Sequence, residues 1–235
     1  MKKVFIFLSI LFFIEQNIQC QTLEGITGLF FIPTADMQND SKISIGASYL
    51  FKNIVSFGGF EYNAYSPYIT INYLPFVEIN LRLTRLIGLP PNNNEAIGDR
   101  TPNIRFRLFE EKKYWPTIVI GAHDLMTVFG GSEAVHNNSL YLVTTKHLLI
   151  SSIINKTSIS LGYGVNWQKA ANHNFVGLFG GISFQFINTA DLMTEYDGTH
   201  SNGGLRINLF NHIFLLGGFL QYKYFSGGAG FNFIL

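Results

Sequence analysis

Side chains alternate with period two along much of this chain, and the two faces so defined differ in an unusual way. Such alternation sends successive side chains to opposite faces of a β-strand. Ile43, Ile45, Ala47, Tyr49 and Phe51 stand against Lys42, Ser44, Gly46 and Ser48. Val77, Ile79, Leu81 and Leu83 stand against Glu78, Asn80, Arg82 and Thr84, and Ile104, Phe106 and Leu108 against Arg105 and Arg107. Ile159, Leu161, Tyr163, Val165 and Trp167 oppose Ser158, Ser160, Gly162, Gly164 and Asn166. A water-soluble sandwich or barrel would turn its apolar face inward and present Lys and Glu outward. Here the second face is Ser, Thr, Asn and Gly with scattered Arg, which suits a polar lumen behind a lipid-facing apolar band.

Composition agrees. Lys, Arg, Asp and Glu make up 13% of residues, about half the usual share. A net charge of +1 gives no basic surface for nucleic acid. Aromatics at 15% and 23 glycines point to many short strands joined by tight turns. After the N-terminal leader, no segment approaches the roughly 20 apolar residues of a membrane helix.

Residues 1–20 read as a secretory signal peptide: Lys2-Lys3, an apolar run from Val4 to Ile14, and a short polar stretch ending at Cys20. Cleavage between Cys20 and Gln21 is the expected processing, with a lipid anchor on Cys20 as the alternative. Cys20 is the sole cysteine, so the remaining chain holds neither a disulfide framework nor a cysteine metal site. Residues 21–235 show one composition throughout and are expected to form one barrel domain.

Strands are expected near 43–51, 54–62, 68–74, 77–86, 103–109, 117–124, 139–147, 157–167, 175–186, 190–197, 203–209, 212–220 and 227–235. Connections after the fourth, sixth, eighth and tenth of these are long or polar, as in Ile87 to Pro102 and Leu125 to Asn138; those after the first, third, ninth and eleventh are short. Bacterial barrels carry short periplasmic turns and longer outer loops on an even number of strands. With the turn at Lys52-Asn53 taken as periplasmic, parity asks for one more strand, and Ile26 to Ile32 is the candidate. The expectation is therefore an all-β, antiparallel transmembrane barrel of 12 to 14 strands, with 14 favoured.

The chain closes on Gly230-Phe231-Asn232-Phe233-Ile234-Leu235. This resembles the terminal strand signal by which the outer-membrane assembly machinery recognises its barrels, with Gly230, Phe233 and Leu235 as its marks and Leu235 in place of the usual terminal aromatic. The alternative is an ordinary last strand.

No pattern for a cofactor or an active site stands out. The histidines His123, His136, His147, His173, His200 and His212 lack metal-ligand spacing, and there is no phosphate-cradling loop or nucleophile elbow. His123-Asp124 is the nearest approach to an acid/base pair, but neighbours on a regular strand point to opposite faces. More weight falls on the charged residues of the polar faces: Glu78, Arg82, Arg105, Arg107, Glu195, Asp197 and Arg206 are the candidate lumen lining. Such charges either pair and narrow the lumen or form a selectivity lining for an anionic or sugar ligand.

Several stretches resemble the YjbH-like family of outer-membrane proteins encoded with exopolysaccharide and capsule genes. They are Gly28-Leu29-Phe30-Phe31-Ile32-Pro33-Thr34-Ala35, Arg105-Phe106-Arg107-Leu108-Phe109-Glu110-Glu111 running to Tyr114-Trp115-Pro116, Gly121-Ala122-His123-Asp124, Leu140 to Lys146, Leu161-Gly162-Tyr163-Gly164 and Glu195-Tyr196-Asp197. The better-known members are longer, so the resemblance is to their first barrel, and Leu125 to Phe129 replaces their glycine-rich stretch after Asp124. The resemblance implies a non-catalytic part in synthesis or export of surface polysaccharide, in a lipid bilayer and alongside export proteins. An outer-membrane enzyme acting on lipid or glycan, and a passive small-solute pore, are the alternatives.

Overall fold

A computed structural model describes residues 21–38, 41–52, 55–57, 60–89, 94–125, 138–149, 156–167, 174–187, 189–210 and 212–234. Residues 1–20, with the expected leader and the alternative lipid anchor at Cys20, and Leu235 lie outside that set. Fourteen strands run in chain order: β1 (Lys42–Leu50), β2 (Ser56–Phe57), β3 (Phe60–Glu61), β4 (Asn63–Leu74), β5 (Val77–Leu89), β6 (Asn94–Phe109) and β7 (Thr117–His123); then β8 (Ser139–Leu148), β9 (Lys156–Val165), β10 (Gly177–Ile187), β11 (Ala190–Tyr196), β12 (Ser201–Leu209), β13 (Ile213–Leu220) and β14 (Tyr224–Ile234). Twelve of them close a barrel in the order β1-β14-β13-β12-β11-β10-β9-β8-β7-β6-β5-β4, all neighbours antiparallel. The seam is β1 on β14, from Lys42 opposite Ile234 to Tyr49 opposite Gly227.

The preference for 14 wall strands is corrected to 12, and two segments account for it. Among the described residues of 54–62, pairing is confined to the small β2-β3 sheet, Ser56 opposite Glu61 and Phe57 opposite Phe60, within the connection from β1 to β4. Ile26 to Ile32 pairs with no wall strand and lies inside the barrel, bent on itself by isolated bridges Gln21–Thr27 and Gly28–Pro33. Its apolar residues are buried because they face the lumen contents, which alternation cannot distinguish from a strand face. Removing both segments also reverses the side given to the turn at Lys52. The β1-β4 connection shares an end with the long connections after β5, β7, β9 and β11, here the loop end. Lys42, Ile234 and the turn at Pro75-Phe76 share the opposite, terminal end.

One polar stretch read as loop is also ladder. β5 and β6 pair from Val77 opposite Phe106 to Leu89 opposite Asn94, so their hairpin stands taller than expected from residues 77–86 and 103–109. Backbone pairing needs no apolar side chain, and the polar sequence there carried no strand signal.

The faces fall as the alternation requires. On the outside, Ile45, Ile79, Leu142, Leu161, Leu178 and Phe233 are each about half exposed. On the inside, Ser44, Thr70, Glu78, Arg105 and Asn202 are fully buried. Glycines inside strands have a specific use on the lumen face. Four of them sit directly opposite an aromatic residue: Gly46 and Tyr68, Gly121 and Tyr141, Gly162 and Phe179, Gly230 and Phe214. Each ring lies along the wall over its glycine, so a Cβ at Gly162 would come within 2.2 Å of Phe179 Cζ. These glycines therefore serve packing rather than the tight turns their number suggested.

Gly162→Val forces Phe179 out of this seat, and overpacking of that kind costs about 1–3 kcal/mol. The expected result is a lower urea midpoint for the folded barrel, followed by the mobility difference between folded and unfolded forms on gels; an unchanged midpoint contradicts the packing role.

Candidate functional site

Strand register brings the lumen charges together in pairs. Glu78 on β5 faces Arg105 on β6, with Arg105 Nη1 donating to Glu78 Oε1 at 2.8 Å between two fully buried side chains. Asp191 on β11 faces Arg206 on β12, 3.8 Å apart. Glu195 faces Asn202, whose Nδ2 donates to its Oε1 at 3.3 Å. Charges buried singly would carry a large desolvation cost, so pairing of this kind is what allows them inside.

The partners of these groups are largely the backbone of Gln21–Gln38. Thr27 N–H donates to Glu78 Oε1 at 3.0 Å, and Thr27 Oγ1 to Glu78 Oε2 at 2.5 Å. Glu195 accepts from Phe30, Phe31 and Ile32 N–H at 3.1, 2.8 and 3.3 Å. Arg206 Nη2 donates to the carbonyls of Gly28 and Leu29 at 2.6 and 2.7 Å. Arg105 donates to the carbonyls of Thr27, Thr34 and Asp36, and Thr145 Oγ1 accepts Ala35 N–H at 2.8 Å. β5 and β11 lie on opposite sides of a twelve-strand ring. Consecutive residues that touch both can only cross the lumen. Leu23, Ile26, Phe30, Ile32 and Met37 fill it, each at most 1% exposed.

Toward the loop end, Arg82 Nη1 pairs with Glu24 and its Nη2 donates to Thr101 Oγ1 at 3.3 Å. His123 Nε2 stands 3.5 Å from Glu24 Oε2. The His123-Asp124 premise changes here. Asp124 adopts φ 54, which ends the regular strand, and both side chains are buried instead of facing opposite ways. Asp124 N–H donates to Asn103 Oδ1 at 2.9 Å. Beside them Phe175 folds into the lumen, its ring 5.2 Å from His123, 6.1 Å from Tyr141, 6.0 Å from Phe179 and 5.5 Å from Phe31 of the inner segment.

At the terminal end the segment is latched to the rim. His147 Nδ1 shares a 2.6 Å hydrogen bond with Glu111 Oε2, and its Nε2 lies 3.5 Å from Asp36 Oδ1. Lys146 Nζ is 2.8 Å from Glu111 Oε1. Burial pushes the Asp36 carboxyl up, but the hydrogen bond and charge of His147, aided by Lys156, outweigh it and hold Asp36 below its ordinary 3.8. Burial also pushes Glu111 up, and its hydrogen bonds to Lys146 and His147 hold it below 4.5.

Of the seven lumen candidates, Glu78, Arg82, Arg105, Glu195 and Arg206 contact the inner segment. Arg107 and Asp197 do not. Arg107 donates to the Pro75 carbonyl at the terminal rim, and Asp197 caps the β11-β12 turn by accepting from Thr199 and His200 N–H at 2.9 and 2.8 Å. Gly230 and Phe233 belong to the seam strand, Gly230 under Phe214 and Phe233 outside. Sequence reasoning passed over Asp191, although it shares the strand parity of Glu195, and Glu24, which precedes the stretch Ile26 to Ile32 read as wall. Among the described residues no group of three His, Cys, Asp or Glu could hold a metal ion.

A closed antiparallel barrel, apolar outside and polar within, defines the class, and a solved structure has the same fold. "KdgM porin" is 12% identical, with 82% of this chain and 99% of that chain covered at a TM-score of 0.52. The N-terminal β-barrel domain of Pseudomonas aeruginosa OprF, 11% identical over 83% of this chain and 100% of its own, superposes only at 0.27 and carries no argument. A search of curated proteins returns no match. The chain belongs to the YjbH family: the family described as "Exopolysaccharide biosynthesis protein YbjH" matches residues 21–202.

Arg105→Met strands Glu78 in the lumen without its cation, and breaking a buried pair in this way costs about 3–5 kcal/mol. The double variant Arg105→Met with Glu78→Gln leaves no charge and is expected to recover much of the loss in the same unfolding measurement; equal destabilisation of both would refute the pairing. The terminal latch has an opposite acid response to that of an isolated histidine. Since both carboxylates titrate below their unfolded values, their contribution is complete above about pH 4.5 and falls away only as pH drops through the lowered folded values. Amide exchange at Ala35 is expected to stay slow from pH 7 to 5 after correction for intrinsic rates, and to quicken in more acid solution.

Proposed function

We propose that this chain is a non-catalytic outer-membrane barrel that assists synthesis or export of an exopolysaccharide. The observation that carries the membrane placement is the polarity of the wall. A belt of exposed Ile, Leu and Phe surrounds a barrel whose interior holds the charges, an arrangement that water would penalise and a hydrocarbon layer favours. Exposed aromatics gather toward both rims, with Tyr73, Phe109, Tyr114 and Trp115 at the terminal end and Tyr163, Tyr196, Tyr222 and Phe225 toward the loop end. Such belts suit the two membrane interfaces. Membership of the YjbH family supports the polysaccharide role.

In this reading the terminal end faces the periplasm, the loop end faces outward, the leader at residues 1–20 directs export, and the last strand with Gly230, Phe233 and Leu235 carries the assembly signal. The porin-like fold suggests a passive small-solute pore as a second reading, but the Gln21–Gln38 segment through the lumen speaks against free passage. An enzyme built on His123 and Asp124 is disfavoured because Glu24 and Phe175 cover that corner.

Fractionation of cells producing the full chain should place it in the outer membrane, and deleting its gene should lower secreted polysaccharide without removing the intracellular precursor. Recovery as a soluble periplasmic protein would end the membrane reading. Polysaccharide output unchanged by the deletion would end the export role.

A further inference from the structure

We propose that Gln21–Gln38 is a withdrawable plug, and that the passage it covers takes an extended, uncharged glycan which stacks on the lumen rings of Tyr68, Tyr141, Phe179 and Phe214. The inference rests on the exopolysaccharide role above and adds the site, the ligand class and the gate.

Three observations lead to it. First, the segment is no part of the wall. The hydrogen-bonded ring closes from β1 to β14 and from β1 to β4 without it, so its departure opens no sheet edge. The wall holds it mainly by its backbone: Glu195 and Arg206 alone account for five main-chain hydrogen bonds, to residues 28 through 32. Second, the surface beneath it suits carbohydrate. Four aromatic rings lie along the wall over glycines instead of pointing across the bore. Asn72, Asn80, Asn103, Asn202, Asn208 and Asn232 stand among them, all buried. Flat rings offer π-faces to the C–H surface of a sugar, and amides both donate to and accept from its hydroxyls. Third, the buried charges outside the plug carry no cationic excess. Arg82, Arg105 and Arg206 stand against Glu78, Asp124, Asp191 and Glu195, which favours an uncharged chain over a polyanion.

These rings are now covered. Gly25 of the plug packs on Tyr68, and its Phe31 packs on Phe175, the residue between β9 and β10 that lies over Tyr141 and Phe179; all four rings are no more than 4% exposed. Asp36, latched to His147 near the terminal rim, marks the end from which the segment would leave.

The test uses the full chain in planar bilayers. Unaltered protein should conduct little. Glu195→Ala with Arg206→Ala, which removes the five backbone contacts, should raise the open current at least tenfold; Glu195→Gln, which keeps the side-chain shape and so the fold, should raise it less. Neutral dextran oligomers should block the opened current, and anionic oligogalacturonate should block it poorly. Adding Tyr141→Leu and Phe179→Leu keeps an apolar side chain at each position but removes two rings, and should weaken the dextran block about tenfold, measured against that variant's own open current. Folded but non-conducting variants, block by the anion alone, or dextran block indifferent to the rings would each overturn the proposal. Folding is read from gel mobility with and without heating. A chain that restores polysaccharide output in the deletion strain yet never conducts would overturn the plug and leave the export role standing. One that conducts and is blocked by dextran, but restores no output, would do the reverse.

Discussion

Closure of the ladder between β1 and β14 is the constraint on which the rest of the structure depends. A sheet of twelve strands with free edges would leave rows of unpaired N–H and C=O groups, intolerable in hydrocarbon and hazardous in water. Once Lys42 to Tyr49 pairs with Ile234 to Gly227, each wall strand has two neighbours and the backbone ladder needs nothing from within. The outer side chains are then free to be apolar and exposed, and the inner ones free to be polar. Closure thus permits inverted polarity without imposing it.

Closure also creates a problem inside, where a dozen polar strand faces meet in a space shielded from bulk water. Cross-strand pairing solves part of it, as in Glu78 with Arg105 and Asp191 with Arg206. The inner segment solves more by lending its unpaired backbone groups to the same charges. The dependence is mutual, because Gln21–Gln38 has almost no ladder of its own and buried main-chain groups require partners. Glu195 exemplifies this: a carboxylate with three main-chain donors and Asn202 around it satisfies itself and the segment at once.

Much of this was legible in the sequence, for physical reasons that differ by element. The wall faces could be read because burial on one side of a strand imposes period two, and the quoted alternations hold within the strands, as in Ile159 to Val165 against Ser158 to Gly164, but not at Asn166, which lies beyond β9 and is exposed. The family could be read from stretches spread over the chain. The strand number could not. Ile26 to Ile32 is as apolar as a strand because it too is buried, and nothing local reveals that its neighbours are lumen walls. The described residues of 54–62 that pair do so only in a two-stranded sheet of their own, and 94–102 pair through backbone that polar side chains do not betray. The lumen charges could be placed on a face, whereas their partners depend on register, which only the closed ring fixes. Asp124 escaped for a related reason, since one positive φ undoes the parity on which its exclusion rested.

The position of the inner segment in the chain bears on how such an object can be made. It precedes β1, and the seam that encloses it joins the first wall strand to the last. The wall is therefore incomplete until the C-terminal strand arrives, and up to that moment the bore is an open trough. A segment lying in that trough is wrapped by the final pairing and never has to be threaded through a finished cylinder. Chain order, with filling first and closing strand last, makes the topologically simple route to a filled barrel also the order of synthesis.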